Sequence, residues 1–251
     1  MQIAFSTDVG RRRQSNQDYV QVYRNQAGVI FAAVADGMGG HRGGDVASDM
    51  VINHFGTVFE QTDLVDVHQI ARWANDFLTT ENERIIQTAQ EKTELSGMGT
   101  TIVGVFIVDQ QMLVFNVGDS RCYLLTATHL QQLSFDHSLV NELLVAGEIT
   151  PQEAKDFPNK NVITQSLGVS SGVQPTFGFF DVPKNAQILL CSDGLTNMIN
   201  DQQIKTILQK SITVKQKCSA LVNAANQAGG LDNITALVIA INDDDEVQGN
   251  D

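Results

Sequence analysis

Long apolar runs are absent from the chain. No stretch approaches the ~20 apolar residues that a membrane span requires, and the opening MQIAFSTDVGRRRQ has no basic start followed by a long apolar segment. The chain is therefore expected to be soluble and cytoplasmic. Cations are also scarce: 16 Lys and Arg stand against 29 Asp and Glu, for a formal net charge of −13. Binding to DNA or to anionic membranes relies on clustered Lys and Arg, so neither is expected as a partner. Only three cysteines occur, Cys122, Cys191 and Cys218. They are odd in number, show neither CxxC spacing nor a histidine at metal-ligand spacing, and read as buried thiols of a cytosolic protein. None has an Arg six positions later, which removes the usual sequence form of a cysteine-nucleophile phosphatase. Nucleotide cradles are missing too: counted from Gly37 the sixth position is Arg42, which breaks GxGxxG, and GxxxxGK[ST] does not occur.

What is present is glycine beside carboxylate. In AAVADGMGGHRGGDVAS an apolar run stops at Asp36 and five glycines follow in eight positions, Gly37 to Gly44. Short runs rich in Val, Ile and Phe recur at strand length: 3–7, 19–23, 29–35, 101–108, 112–117, 122–125, 187–191 and 234–241. Several follow one another at hairpin distance, with Asp109-Gln110-Gln111 as one turn, which predicts antiparallel sheets. Helical spacing marks a segment from Gly44 to Gln61, another from Val67 to Ala89, and two near the C-terminus, the last stopped by Gly229 and Gly230. Strands before, between and after two blocks of helices predict an α+β domain whose central antiparallel sheets are covered by helical layers. Between residues 134 and 168 a helix ending at Gly147 and a second capped by Thr150, Pro151 and Glu153 predict a small helical flap. The domain is expected to span 1–242. The remainder, 243–251, holds five acids and reads as a solvated, disordered tail.

Five aspartates fall at strand ends. Asp36 ends VIFAAVAD, Asp119 follows MLVFNVG, Asp193 follows QILLC, Asp232 precedes ITALVIAI and Asp18 precedes YVQVY. Antiparallel pairing brings the end of one strand beside the start of the next, so all five can converge on one rim. Aspartate is also a common turn residue, which is the plainer account of any one of them. Adjacent glycines, in DG, GD, DG and GGLDN, favour close approach to a bound object. Convergent carboxylates repel one another unless cations lie between them. Hard oxygen donors without Cys or clustered His suit Mg²⁺ or Mn²⁺; Ca²⁺ is also compatible and Zn²⁺ is disfavoured. The chemistry suggested is two ions ~3.5–4 Å apart activating a water for in-line attack on phosphorus. Arg13, in the cluster Arg11-Arg12-Arg13, then supplies a guanidinium fork for phosphate, although three adjacent arginines also suit a solvated turn.

In order along the chain, GRRRQSNQD, VADGMGGHRGGDVAS, GMGTTIVGVFI, NVGDSRCYLL, DHSLVNELLVAGEITPQEA, NVITQSLG, LLCSDGLTNMI and GGLDNITALVI resemble the motifs of the metal-dependent Ser/Thr protein phosphatases of type 2C, in their compact bacterial form. The resemblance runs to about Asn242. It implies a four-layer α-β-β-α sandwich with the metal site in a cleft at one edge. It implies that Asp36, with its carboxylate, and Gly37, with its carbonyl, serve a binuclear Mn²⁺ or Mg²⁺ centre, with Asp193 and Asp232 as further ligands and Asp119 sharing a third, weaker ion with Asp193. It assigns Arg13 to phosphate, Asp18 to ordering metal-bound water and Asn233 to orienting the site. The activity implied is hydrolysis of phosphoserine and phosphothreonine by a metal-bridged water. Implied partners are phosphorylated proteins, including a Ser/Thr kinase and its substrates, with the enzyme acting as a monomer.

Two positions depart from the family pattern. Gln17 stands where many members carry Glu, and Met38 follows the Asp-Gly pair where eukaryotic relatives have His. His41 is the nearest histidine, open to two readings: a proton donor to the leaving oxygen, or a shaper of the glycine loop. Arg11 and Arg12 are candidates for recruiting acidic phosphopeptides. The competing functions are a scaffold that has lost catalysis, which would be favoured by a missing metal aspartate; a phosphatase of narrow remit; and a calcium-stabilised structural domain. The last leaves Arg13 and the glycine loop unexplained.

Overall fold

The inner strands are buried on both faces, and that dictates the layering. A computed structural model describes residues 1–155, 157–158, 162–169 and 172–241, the side chains of 40–42 and 155 excepted. The expected tail, 243–251, lies outside the described residues. Chain order runs β1 (Gln2–Asp8), β2 (Asp18–Arg24), β3 (Ile30–Met38), α1 (Gly40–Glu60), α2 (Val67–Glu91), β4 (Gly99–Thr100), β5 (Ile102–Val108), β6 (Gln111–Val117), β7 (Arg121–Leu125), β8 (Leu130–Gln132), α3 (Leu139–Val145), α4 (Pro151–Lys155), β9 (Thr176–Asp181), β10 (Gln187–Cys191), α5 (Asp193–Thr196), α6 (Asp201–Leu208), α7 (Val214–Gln227) and β11 (Ile234–Ala240).

One sheet has the order β1-β11-β10-β7-β8; the other has β2-β3-β5-β6-β9, with β4 added against the end of β3. Every pairing is antiparallel. Period-two alternation assigns the two faces of each strand to different cores. On β3, Phe31, Ala33 and Ala35 point into the layer under α1 and α2, while Ala32 and Val34 point between the sheets. Phe31 stacks on Phe106 at 4.6 Å between ring centroids and meets Phe55 of α1 at 4.8 Å. The opposite sheet buries Leu189, Ile234 and Val238 against Ile204, Leu208 and Leu221 of α6 and α7. The expected α-β-β-α sandwich is what forms. No helix among the described residues is long and apolar enough to cross a membrane.

Several boundaries differ from the sequence expectation. Strand β3 runs past Asp36 to Met38, because Asp36 pairs with Asp18 and Gly37 with Thr100. Strands β4 and β8, of two and three residues, are too short for periodicity to reveal, and β9 and the single turn α5 were likewise not expected. The flap helices form as predicted: Gly147 has φ 75°, and Thr150 and Glu153 exchange hydrogen bonds of 2.8 and 3.2 Å at the start of α4. All three cysteines are buried and free.

Helix α1 lies so close to β2 that a Cβ added at Gly56 would stand 2.1 Å from the Tyr23 ring. Alanine would gain up to about 1 kcal/mol of helix propensity, but the overlap forces α1 off the sheet. Gly56→Ala is expected to lower unfolding stability by about 1–3 kcal/mol net. Urea unfolding followed by far-ultraviolet circular dichroism reads this, and an unchanged or higher midpoint would refute the packing account.

Candidate metal centre

The acidic cleft is assembled from strand ends on one edge of the sandwich. Asp18 opens β2 and stands opposite Asp36 near the end of β3. Asp193 follows β10, and Asp232 precedes β11, which pairs with β10. Arg13, Asp36, Gly37, Asp193 and Asp232 line a cleft of about 800 Å³. Asp119 opens instead on an adjoining hollow of about 260 Å³ that shares Asp193. Asp18 is 8% exposed and lines neither space. The five carboxylates therefore do not share one lining: Asp36 and Asp232 line the cleft, Asp119 the adjoining hollow, Asp193 both, and Asp18 is buried beside Ser192 and Thr235. His41 lies outside the described side chains.

Crowding controls the electrostatics. Burial, opposed by hydrogen bonds from Ser192 and Thr235 and reinforced by Asp193 and Asp232, pushes Asp18 up to about 7. Burial and the charge of Asp193 push Asp119 to about 7 as well. Asp36 is driven well above the ordinary carboxylate range by burial and then by Asp18 and Asp193, and Asp193 is raised by burial. Three buried carboxylate oxygens, Oδ1 of Asp18, Asp119 and Asp193, have no hydrogen-bond partner. Orphaned hard oxygens among mutually repelling acids are what a divalent cation satisfies, so the residues fit a Mn²⁺ or Mg²⁺ centre. Among the described residues no three side chains converge on one ion position. A cation bound there would complete its coordination with water.

Backbone proximity explains the glycines. A Cβ on Gly37 would lie 2.0 Å from the Gly44 carbonyl oxygen, so the end of β3 and the start of α1 touch only because both residues lack side chains. Arg13 donates to Oδ2 of Asp232 at 2.7 Å, and that bond holds its guanidinium at the cleft and raises its pKa. Asn233 does not line the cleft. Its Oδ1 accepts from the Gln17 amide, and its Nδ2 donates to the carbonyls of Val9 and Ser15, each at 2.9 Å. It clamps the loop that carries Arg13.

A ring of hydroxyls escaped the sequence reading. Ser192 and Thr235 each donate to Oδ2 of Asp18 at 2.7 Å. Thr100 donates to the Asp36 carbonyl, and the Asp36 amide donates to Oγ1 of Thr101, which is 2.8 Å from Oγ of Ser120. Their one sequence signal is adjacency: Ser192 precedes Asp193, Ser120 follows Asp119, and Thr235 lies three residues after Asp232. At the base of the flap, Arg121 forms a fork with Asp136. His137 accepts from the Gly118 amide at 3.1 Å, beside Asp119.

The raised carboxylates set a pH dependence. The folded state holds protons on these groups that the unfolded chain releases near pH 4, so stability falls as pH rises from about 4 through about 7 and then levels. Chelator-treated protein is expected to melt at a lower temperature at pH 8 than at pH 5.5. Added Mn²⁺ should raise the melting temperature more at pH 8, where the carboxylates are ionised. Calorimetry at the two pH values checks both, and a Mn²⁺ increment independent of pH would contradict the crowding account.

Comparison with known proteins gives a consistent family. The protein phosphatase 2C family pattern matches residues 9–232. Protein phosphatase PhpP of Streptococcus pneumoniae is 44% identical over 245 residues, covering 98% of this chain and 99% of that protein. The solved serine/threonine phosphatase of S. agalactiae superposes with a TM-score of 0.91 at 42% identity, covering 94% of this chain and 98% of that one. The catalytic domain of serine threonine protein phosphatase PstP, solved in complex with two manganese ions, superposes with a TM-score of 0.83 at 30% identity, covering 96% of this chain and 98% of that one. A sandwich whose strand ends gather Asp36, Asp193 and Asp232 in one cleft with Arg13, together with a match over nearly the whole length, means that this chain belongs to the protein phosphatase 2C family.

Proposed function

We propose that the chain hydrolyses phosphoserine and phosphothreonine in proteins, with divalent cations held at Asp36, Gly37, Asp193 and Asp232. The observation that carries this reading is that Arg13 and the carboxylates of Asp36, Asp193 and Asp232 line one solvent-open cleft. Bound Mn²⁺ or Mg²⁺ would supply activation of the attacking water and offset charge on the phosphoryl oxygens. The chain's own groups do the rest. Arg13, fixed by Asp232, offers its remaining N–H donors to the phosphate. The unpartnered Oδ1 of Asp18, aligned by Ser192 and Thr235, is an acceptor for a water above it. Gly37 and Gly39 line the cleft without side chains, which leaves room for a phosphate.

Asp119, with Asp193, is the natural holder of a third, weaker ion in the adjoining hollow. We read residues 1–242 as one catalytic unit, with 134–168 as a flap beside the cleft. Three free, buried thiols support a cytoplasmic enzyme, which we read, from the family resemblance, as a monomer acting against a Ser/Thr kinase. The intact ligand set argues against a scaffold that has lost catalysis.

Phosphate release from a phosphothreonine peptide should vanish with chelator and return with Mn²⁺ or Mg²⁺. Asp193→Ala should lose roughly a hundredfold or more in kcat/KM, the scale of removing a preorganised charge-stabilising group. Metal-independent turnover would remove the cation reading. Arg13→Ala should lower kcat/KM about tenfold to a hundredfold, the range for a hydrogen bond to a charged group. A loss below threefold would move phosphate binding elsewhere.

A further inference from the structure

Of the three adjacent arginines, only two reach the cleft, and only one is committed. Arg12 and Arg13 line it, whereas Arg11 does not. Arg13 is bonded to Asp232. Arg12 is exposed and, among the described residues, has no hydrogen bond or ion pair with any acid. What distinguishes Arg12 from the other unpaired cations is its place on the lining of the acidic cleft, next to Arg13. A solvated turn would leave it unpaired by default, but this loop is not loose. The Arg11 amide donates to the Gly230 carbonyl at 2.7 Å, and the Gly10 amide donates to Asp8, which also accepts from Asn226. Gly10 has φ 80° and sits where a Cβ would meet the Asp232 carbonyl oxygen at 2.2 Å. With Asn233 bonded to Val9 and Ser15, the backbone is fixed on both sides of Arg12. With the backbone already held, only the Arg12 side chain has to be ordered when it engages a ligand.

Apart from the two arginines and the three acids, the lining of the cleft is uncharged. Met38 and Ile163 line it as apolar groups, and Gln14 and Ser15 line it as neutral polar ones. Ile163 is brought there by its bridge to Ser138 across the base of the flap.

Resting on the phosphatase reading above, we propose that Arg12 is a specificity-determining residue that selects phosphopeptides carrying an acidic side chain close to the phosphorylated residue. The phosphate goes to Arg13, and the neighbouring carboxylate goes to Arg12. The selection is local, because at longer range the net charge of the protein repels acidic peptides. It is also modest, because an exposed ion pair contributes about 0.2–1 kcal/mol, or roughly 1.4- to fivefold in kcat/KM.

The test compares phosphothreonine peptides that differ only in Asp, Ala or Lys at each of the two positions on either side, assayed with Mn²⁺ at fixed ionic strength. The quantity read is the ratio of kcat/KM for the best Asp peptide to that for the all-Ala peptide. For the unaltered protein the ratio is expected at roughly two to five; in Arg12→Ala it falls to about one, Arg12→Lys restores part of it, and Arg12→Glu turns the preference to Lys. Arg11→Ala should keep the original ratio. Binding of the same peptides with a non-hydrolysable phosphonate in place of phosphate, followed by fluorescence anisotropy, should reproduce the ratios without turnover. A ratio near one in the unaltered protein, or one that survives Arg12→Ala, overturns the assignment to Arg12 while leaving hydrolysis intact. Absence of turnover on the all-Ala peptide overturns the phosphatase reading itself, and this proposal with it.

Discussion

Mutual repulsion among Asp18, Asp36, Asp119 and Asp193 is the constraint around which the molecule is arranged. Four carboxylates with little solvent cannot all be ionised without partners, and burial has already lifted their pKa values. The fold answers with hydroxyl donors, Ser192 and Thr235 on Asp18, and leaves Oδ1 of Asp18, Asp119 and Asp193 without a partner. Apolar packing alone would never choose this arrangement, since each uncompensated buried charge costs several kcal/mol. Its persistence beside a solvent-open cleft is intelligible if cations complete it.

The sandwich is the means of bringing the acids together. Asp18 and Asp36 meet because β2 and β3 pair in the register that the alternation of Phe31, Ala32, Ala33 and Val34 imposes. Slipping that register by one residue would turn Phe31 away from Phe55 and Phe106 and expose the opposite set of side chains. The aromatic layer under α1 and α2 thus fixes the carboxylate separation at a distance, without touching the site.

Much of this was legible in the sequence, and the boundary between the legible and the hidden is physical. Strand-end aspartates next to glycine stand out because Gly37 and Asp36 sit in a pattern that neither a core nor an ordinary turn requires. The long strands and amphipathic helices were visible because their periodicity extends over several turns. The two-residue β4, the single turn α5 and the edge strand β9 leave no such trace. The hydroxyl ring was invisible for a different reason: Ser192 and Thr235 are separated from Asp18 by 174 and 217 positions, so only the assembled sheets define them as partners. Asp119 illustrates a subtler limit. Its strand end was located correctly, but strand ends do not reveal that Asp193 forms the wall between its hollow and the main cleft.

The arginines proposed to meet the substrate and the acidic centre are held by the same few residues of chain. The loop of Arg12 and Arg13 is pinned to the segment 230–233 by Arg11 on Gly230, Arg13 on Asp232 and Asn233 on Val9, Ser15 and Gln17. Asp232 consequently has two obligations: one oxygen accepts from Arg13 and the other from the Asn233 amide, so a cation must share an oxygen already engaged or displace the arginine. With that bond kept, Arg13 stays anchored and its other N–H donors remain free toward the cleft. The 2.7 Å bond between Arg13 and Asp232 thus ties the guanidinium to a carboxylate of the acidic centre, so one residue serves both halves of the cleft.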